Sequence, residues 1–163
     1  MKDNWYDTAQ ICINGHVINS RSVSEPDYNR KFCEKCGAST INSCLNCHET
    51  IKGFHHERHT LMIPNDMLAK PSFCPDCGSP YPWTEAKLKA AKELSDEFEN
   101  LSPEERETLK KSLDDIVRDT PQTPVAATRF KKIAAKAGKV AADGLRDIII
   151  DIASEAAKKV IWP

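Results

Sequence analysis

The sequence predicts an α+β protein: two small zinc-ribbon β-hairpin units, each pinned by cysteine pairs, followed by a C-terminal α-helical domain. Three observations carry this expectation. All seven cysteines fall between Cys12 and Cys77, in short pairs. Pro64, Pro71, Pro75, Pro80 and Pro82 keep the chain out of a helix up to Trp83. From Thr84 onward, apolar residues return at helical spacing with charges between them.

The pairs set the chemistry of the first half. Cys12 and His16 form a C-x3-H; Cys33 with Cys36, Cys44 with Cys47 and Cys74 with Cys77 form three C-x2-C pairs. One tight turn presents two such side chains to a single ion, so the eight ligands fill two four-coordinate sites. Thiolate sulfur and imidazole nitrogen in tetrahedral sets of four suit Zn2+. With no coordination position left open, both ions are expected to be structural. Two pairings are open at this point. Sequential pairing puts Cys12, His16, Cys33 and Cys36 on one ion and Cys44, Cys47, Cys74 and Cys77 on the other. That gives ribbons over residues 7–42 and 43–83 of a region 1–83. Cross-bracing would join the first pair to the third and the second to the fourth. The echo of FCEKCG in FCPDCG, one closing each unit, favours the sequential scheme. Gly15, Gly37 and Gly78 fall in the knuckles, where left-handed backbone turns amides toward the sulfurs. His48, next to Cys47, is the less regular alternative ligand. The odd cysteine count and the two-residue gaps speak against disulfides.

Composition narrows the function classes. The opening MKDNWYDTAQ lacks an apolar core and a cleavage site, and no apolar run is long enough to cross a bilayer, so a cytoplasmic location is expected. The net charge is −1, unevenly spread. Residues 1–83 carry eight basic and nine acidic side chains, 84–124 seven and eleven, and 125–163 eight and four. Seven thiolates against two divalent ions make the first region more negative still, a poor general surface for phosphates.

Residues 1–11 read as a lead-in whose Trp5, Tyr6 and Ile11 pack on the first ribbon. Val17 and Ile18 suggest a strand before a loop rich in Ser, Pro and Asn. In the helical domain, residues 84–163, Leu88, Ala91, Leu94, Phe98 and Leu101 mark a first helix. Ser102, Pro103 and Glu105 form a capping box for a second, which carries Leu109, Leu113, Ile116 and Val117. Thr123 is expected to cap a third segment whose apolar face continues through Phe130, Ile133, Ala137, Val140, Ile148, Ile152, Ala156 and Val160, bent or broken at Gly138 and Gly144. Tyr81 and Trp83, in PYPW, are expected to pack against the ribbons.

YDTAQICINGH, KFCEKCG, FCPDCGSPYPWTEA and DTPQTPVAATRFKK together resemble a bacterial family of cytoplasmic proteins known as a domain of unknown function with predicted zinc ribbons. The resemblance runs along nearly the whole chain, and the FCPDCGSPYPWTEA junction is its most specific part. It implies the ribbon-plus-helix architecture and supplies no activity.

Function is therefore weighed on the residues. The leading expectation is a non-enzymatic zinc-binding module that contacts an unidentified protein partner. Nucleic acid, bound through the ribbons and the basic stretch Arg129, Lys131, Lys132, Lys136 and Lys139, is the alternative. Aromatics for stacking are nearly absent from that stretch. Peripheral membrane contact through the helix ending in Ile161-Trp162 is a further one. A metal-dependent nuclease or hydrolase would have to use a loop carrying His55, His56 and His59. Their spacing misses the helical zinc-protease motif, which needs two residues after the Glu. Asp143, Asp147, Asp151 and Glu155 repeat every four residues, and such like charges call for cations such as Lys87, Lys89, Lys92 or Lys158.

Overall fold

The computed structural model describes residues 4–57 and 68–163. The chain divides into two compact units, Met1–Thr84 and Glu85–Pro163. The expected α+β architecture is borne out: short antiparallel sheets come first and helices follow.

In the first unit the strands are β1 (Asn4–Thr8), β2 (Gln10–Cys12), β3 (Val17–Asn19), β4 (Thr40–Ile41) and β5 (Lys52–Glu57). A three-stranded antiparallel sheet has the order β3-β2-β4, and β1 pairs separately with β5. The ladder places Trp5 opposite His56 and Tyr6 opposite His55. Between β3 and β4 the chain makes a 3-10 turn at Pro26–Tyr28. Ala9, Ile11, Ile51, Tyr81 and Trp83 form the apolar interior with the buried Cys44 and Cys74. Tyr81 and Trp83 stack with ring centroids 4.6 Å apart, and the Trp83 indole N–H donates to the Pro71 carbonyl at 2.9 Å. An interior this small leaves most of the unit to be held by something other than apolar burial.

Two expectations change here. The N-terminal lead-in pairs through β1 with β5 of the second cysteine segment, so the two ribbon segments interlock. His55 and His56, expected on a loop, sit on β5; His59 lies outside the described residues. Pairing with β1, which sets Trp5 opposite His56 and Tyr6 opposite His55, decides for a strand, a cross-strand effect that local composition does not carry.

The second unit continues α1 (Pro82–Asp96) and adds α2 (Pro103–Ile116), α3 (Thr123–Ala137), α4 (Lys139–Ile149) and α5 (Glu155–Ile161). Helix α3 packs on α2, α4 and α5. Its core holds Leu109, Leu113, Ile116, Phe130, Leu145, Ile149 and Ile152. The capping box at Ser102 forms as expected: its hydroxyl accepts from the Glu105 amide at 3.2 Å, and Glu105 accepts from the Ser102 amide at 2.9 Å. Thr123, however, is the first residue of α3 rather than its cap. Its hydroxyl donates to the Arg118 carbonyl at 2.6 Å and accepts from the Thr120 amide at 2.9 Å, which closes the α2–α3 turn.

The apolar face read as one run also breaks phase. Gly138 has φ +105° and ends α3, whereas Gly144 sits within α4 without interrupting it. After the break the buried positions are Leu145, Ile149, Ile152, Ala153, Ala157 and Ile161, so Ile152 faces inward as expected, while Val140 is 88 % exposed. The four acidic residues consequently do not share one helix: Asp151 lies in the turn after α4 and pairs with Lys87 at 2.5 Å, and Glu155 pairs with Lys158 at 2.8 Å.

Candidate metal centres

Three of the four pairs adopt one local structure. In each C-x2-C turn the first cysteine's N–H donates to the carbonyl five residues on: Cys33 to Ala38, Cys44 to Glu49 and Cys74 to Ser79, each at 2.8 Å. The amide four residues on returns to the first cysteine's carbonyl, from Gly37, His48 and Gly78. Those three residues have φ of +70°, +64° and +72°. This left-handed step lets the turn close while exposing amides to sulfur, which explains Gly37 and Gly78 and makes His48 the strained member. The Cys12–His16 turn is one residue shorter, with Cys12 donating to the His16 carbonyl at 2.9 Å. The longer imidazole makes up the missing reach.

The turns bring together Cys12, His16, Cys33 and Cys36 in one set and Cys44, Cys47, Cys74 and Cys77 in another, each with its ligand atoms within 4.8 Å of one another. This is the sequential scheme. In the first set, His16 Nδ1 lies 3.5 Å from both Cys12 Sγ and Cys33 Sγ, and Cys12 Sγ lies 3.8 Å from Cys36 Sγ. In the second, Cys44 and Cys77 are 3.7 Å apart and Cys47 and Cys74 are 3.6 Å apart, Sγ to Sγ. A tetrahedron with zinc–sulfur bonds of about 2.3 Å and zinc–nitrogen bonds of about 2.0 Å has edges of about 3.8 Å between sulfurs and about 3.5 Å from sulfur to nitrogen. The five distances above match those edges. All seven cysteines are free of disulfides.

Nearby donors favour thiolates. The Asn14 side-chain amide donates to Cys36 Sγ at 3.5 Å, and with the Ala38 amide it holds that thiol down to about 6. The Ser79 hydroxyl, the Asn46 side chain and the Ser79 amide likewise hold Cys77 at about 6. Opposing them, burial pushes the Cys12 thiol up. The Glu49 amide favours a Cys47 thiolate, but burial and the sulfurs of Cys77, Cys74 and Cys44 outweigh it and push this thiol up to about 12. Four thiolates at these distances repel one another, and a cation among them removes the conflict. Asn14 and Asn46 went unnoticed in the sequence, although the Cys-x-Asn repeat at Cys12-Ile13-Asn14 and Cys44-Leu45-Asn46 was the signal.

His48 stays outside the second set, its place taken by Cys47. His55 and His56 are adjacent on a strand and so point to opposite faces. His55 Nδ1 lies 3.0 Å from Glu57 Oε1, and His56 Nε2 lies 3.1 Å from Asp7 Oδ2. The Asp7 carboxylate is 2 % exposed and accepts from the Ser24 hydroxyl at 2.6 Å, the Thr8 amide at 2.7 Å and the Val23 amide at 3.0 Å. Burial alone would raise its pKa; the hydrogen bonds from Ser24, Val23, His56 and Thr8 together hold it below the usual carboxylate value. Asp7 thus ties β1, β5 and the 22–24 turn together.

Residues 5–161 match the family described as "uncharacterized protein conserved in bacteria", DUF2321. The chain belongs to this family. No curated protein and no solved structure matches it. Among the described residues no helix is long and apolar enough to cross a membrane. The DUF2321 chain therefore carries two tetra-ligand Cys/His sets that could hold metal ions, mounted on short hairpins ahead of a helical unit.

Proposed function

We propose that this DUF2321 protein is a non-catalytic zinc-binding protein, in which two closed zinc sites stand in for a large apolar core and hold a surface for a macromolecular partner. The observation that carries this reading is the agreement between the interligand distances of 3.5–3.8 Å and the edges of a zinc tetrahedron. Zinc also fits the donor set, three thiolates and one imidazole in one site and four thiolates in the other. Each ion would have four protein ligands and no free position, as structural sites do, so neither is arranged to activate water. The divergence of His55 and His56 gives a hydrolase no second centre among the described residues.

Native mass spectrometry tests the reading. The protein should carry two zinc ions, and Cys77→Ser should carry one while retaining the ion on Cys12, His16, Cys33 and Cys36. Two ions retained in Cys77→Ser, or iron in place of zinc, would overturn it.

A further inference from the structure

The net acidity of residues 1–83 conceals a local reversal. Beside the first metal set, a groove of about 220 Å3 runs between β3 and the segment after the 3-10 turn. Val17 and Ile18 line it, with Tyr28, Arg30, Glu34 and Lys35. Tyr28 is 61 % exposed and Phe32, four residues on, is 63 % exposed. Arg30 is held in place by donating from Nη1 to the Asp27 and Asn29 carbonyls, both at 2.8 Å. Lys31 and Lys35 are exposed, and among the described residues neither enters an ion pair. The stretch from Tyr28 to Lys35 thus presents three cations against the single Glu34.

We propose that this groove binds single-stranded nucleic acid, with a base stacked on Tyr28 and the sugar–phosphate chain following Arg30, Lys31 and Lys35. The inference rests on the zinc reading, because Cys33 and Cys36 anchor the segment. Two exposed aromatic rings among unpaired cations supply the two parts of such recognition, a stacking platform and an electrostatic track. An acidic peptide would use the cations and leave the Tyr28 ring face idle. The adjoining strand β3 is three residues long, too short an edge to add a peptide strand. The basic stretch of α3 is a weaker candidate, since Lys136 is engaged by Glu105 and Lys131 by the Val160 carbonyl.

The test is fluorescence anisotropy with a labelled 20-nucleotide mixed-sequence strand, the same strand as duplex, and an acidic peptide, using full-length protein whose zinc content has been counted. The single strand should bind in preference to duplex and peptide, and log K should fall against log salt with a slope of about −2 for three neutralised phosphates. Tyr28→Ala should weaken binding about 5- to 150-fold. Lys35→Glu should weaken it and flatten the salt slope, while Lys132→Glu on α3 should leave it unchanged; all three variants should keep two zinc ions. No binding by two-zinc protein, equal binding of duplex or peptide, or sensitivity to Lys132→Glu alone would overturn the proposal. Fewer than two zinc ions in the unmodified protein would instead fail the metal reading, before any oligonucleotide is added.

Discussion

Among the described residues of Met1–Thr84 no strand exceeds six residues, and the interior they form has a few apolar side chains around Trp83. In Glu85–Pro163, α3 packs on α2, α4 and α5, and the buried apolar side chains include Leu109, Phe130 and Ile149. The two units have similar lengths and reach order by different means. The helical unit satisfies its backbone locally and gains from burial, so its stability is spread over many side chains. The described residues of the hairpin unit have few ladder bonds and little to bury, so on the proposed zinc reading its stability would be concentrated at eight ligand atoms. On that reading, such concentration would make the first unit responsive to metal, and dispersion would make the second indifferent to it.

The largest expected effect breaks the two apart. Removing zinc with a chelator should unfold the hairpin unit, because structural zinc supplies about 10–16 kcal/mol to such folds. Most of the far-UV helical signal should persist, while Trp83 fluorescence shifts toward that of a solvent-exposed indole. Loss of the helical signal in parallel would show that the units do not fold independently. In the other direction, Phe130→Ala should cost about 3–5 kcal/mol in urea unfolding of the helices and leave the zinc count at two.

A smaller effect concerns the non-metal part of the hairpin unit. Asp7→Asn replaces a buried carboxylate acceptor and should destabilise that unit by about 2–3 kcal/mol at neutral pH. The native pKa of Asp7 is depressed, so its contribution is present above the unfolded value of about 3.9 and is lost only as pH falls through the lower folded value. The penalty measured by denaturation should therefore not fall between pH 7 and pH 5; a decline in that window would contradict the assignment. The smallest effect is a gain. His48 occupies the left-handed position that Gly37 and Gly78 fill in the matching turns. His48→Gly should stabilise the second site by about 1 kcal/mol or less, read as a several-fold rise in zinc affinity by chelator competition. A fall in affinity would make His48 a ligand.

Much of this was legible in the sequence because its causes are local. A two-residue gap between cysteines defines a turn, Ser102-Pro103-Glu104-Glu105 defines a helix start, and the spacing of Leu88, Ala91 and Leu94 defines a helix face, although α1 stops at Asp96 and leaves the buried Phe98 and Leu101, expected on the same helix, beyond its end. These are interactions among residues close along the chain. The phase of the last two helices failed for the complementary reason. One glycine at φ +105° rotates everything beyond it, and no pattern upstream of Gly138 states by how much.

The sequence by itself determined the candidate ligand set, the α+β class and the order of hairpins before helices, since each depends on spacing within a turn or a helical repeat. Tertiary structure alone decided which pairs share a site and that β1 crosses to β5. It also decided that His55 and His56 face apart, and that Tyr28, Arg30 and Lys35 line one groove. Those outcomes depend on residues up to about fifty positions apart coming within a few ångströms, as Asp7 and His56 do at 3.1 Å. Closing such loops costs entropy that only the assembled fold repays, so the result is set by the whole unit and not by any stretch of it.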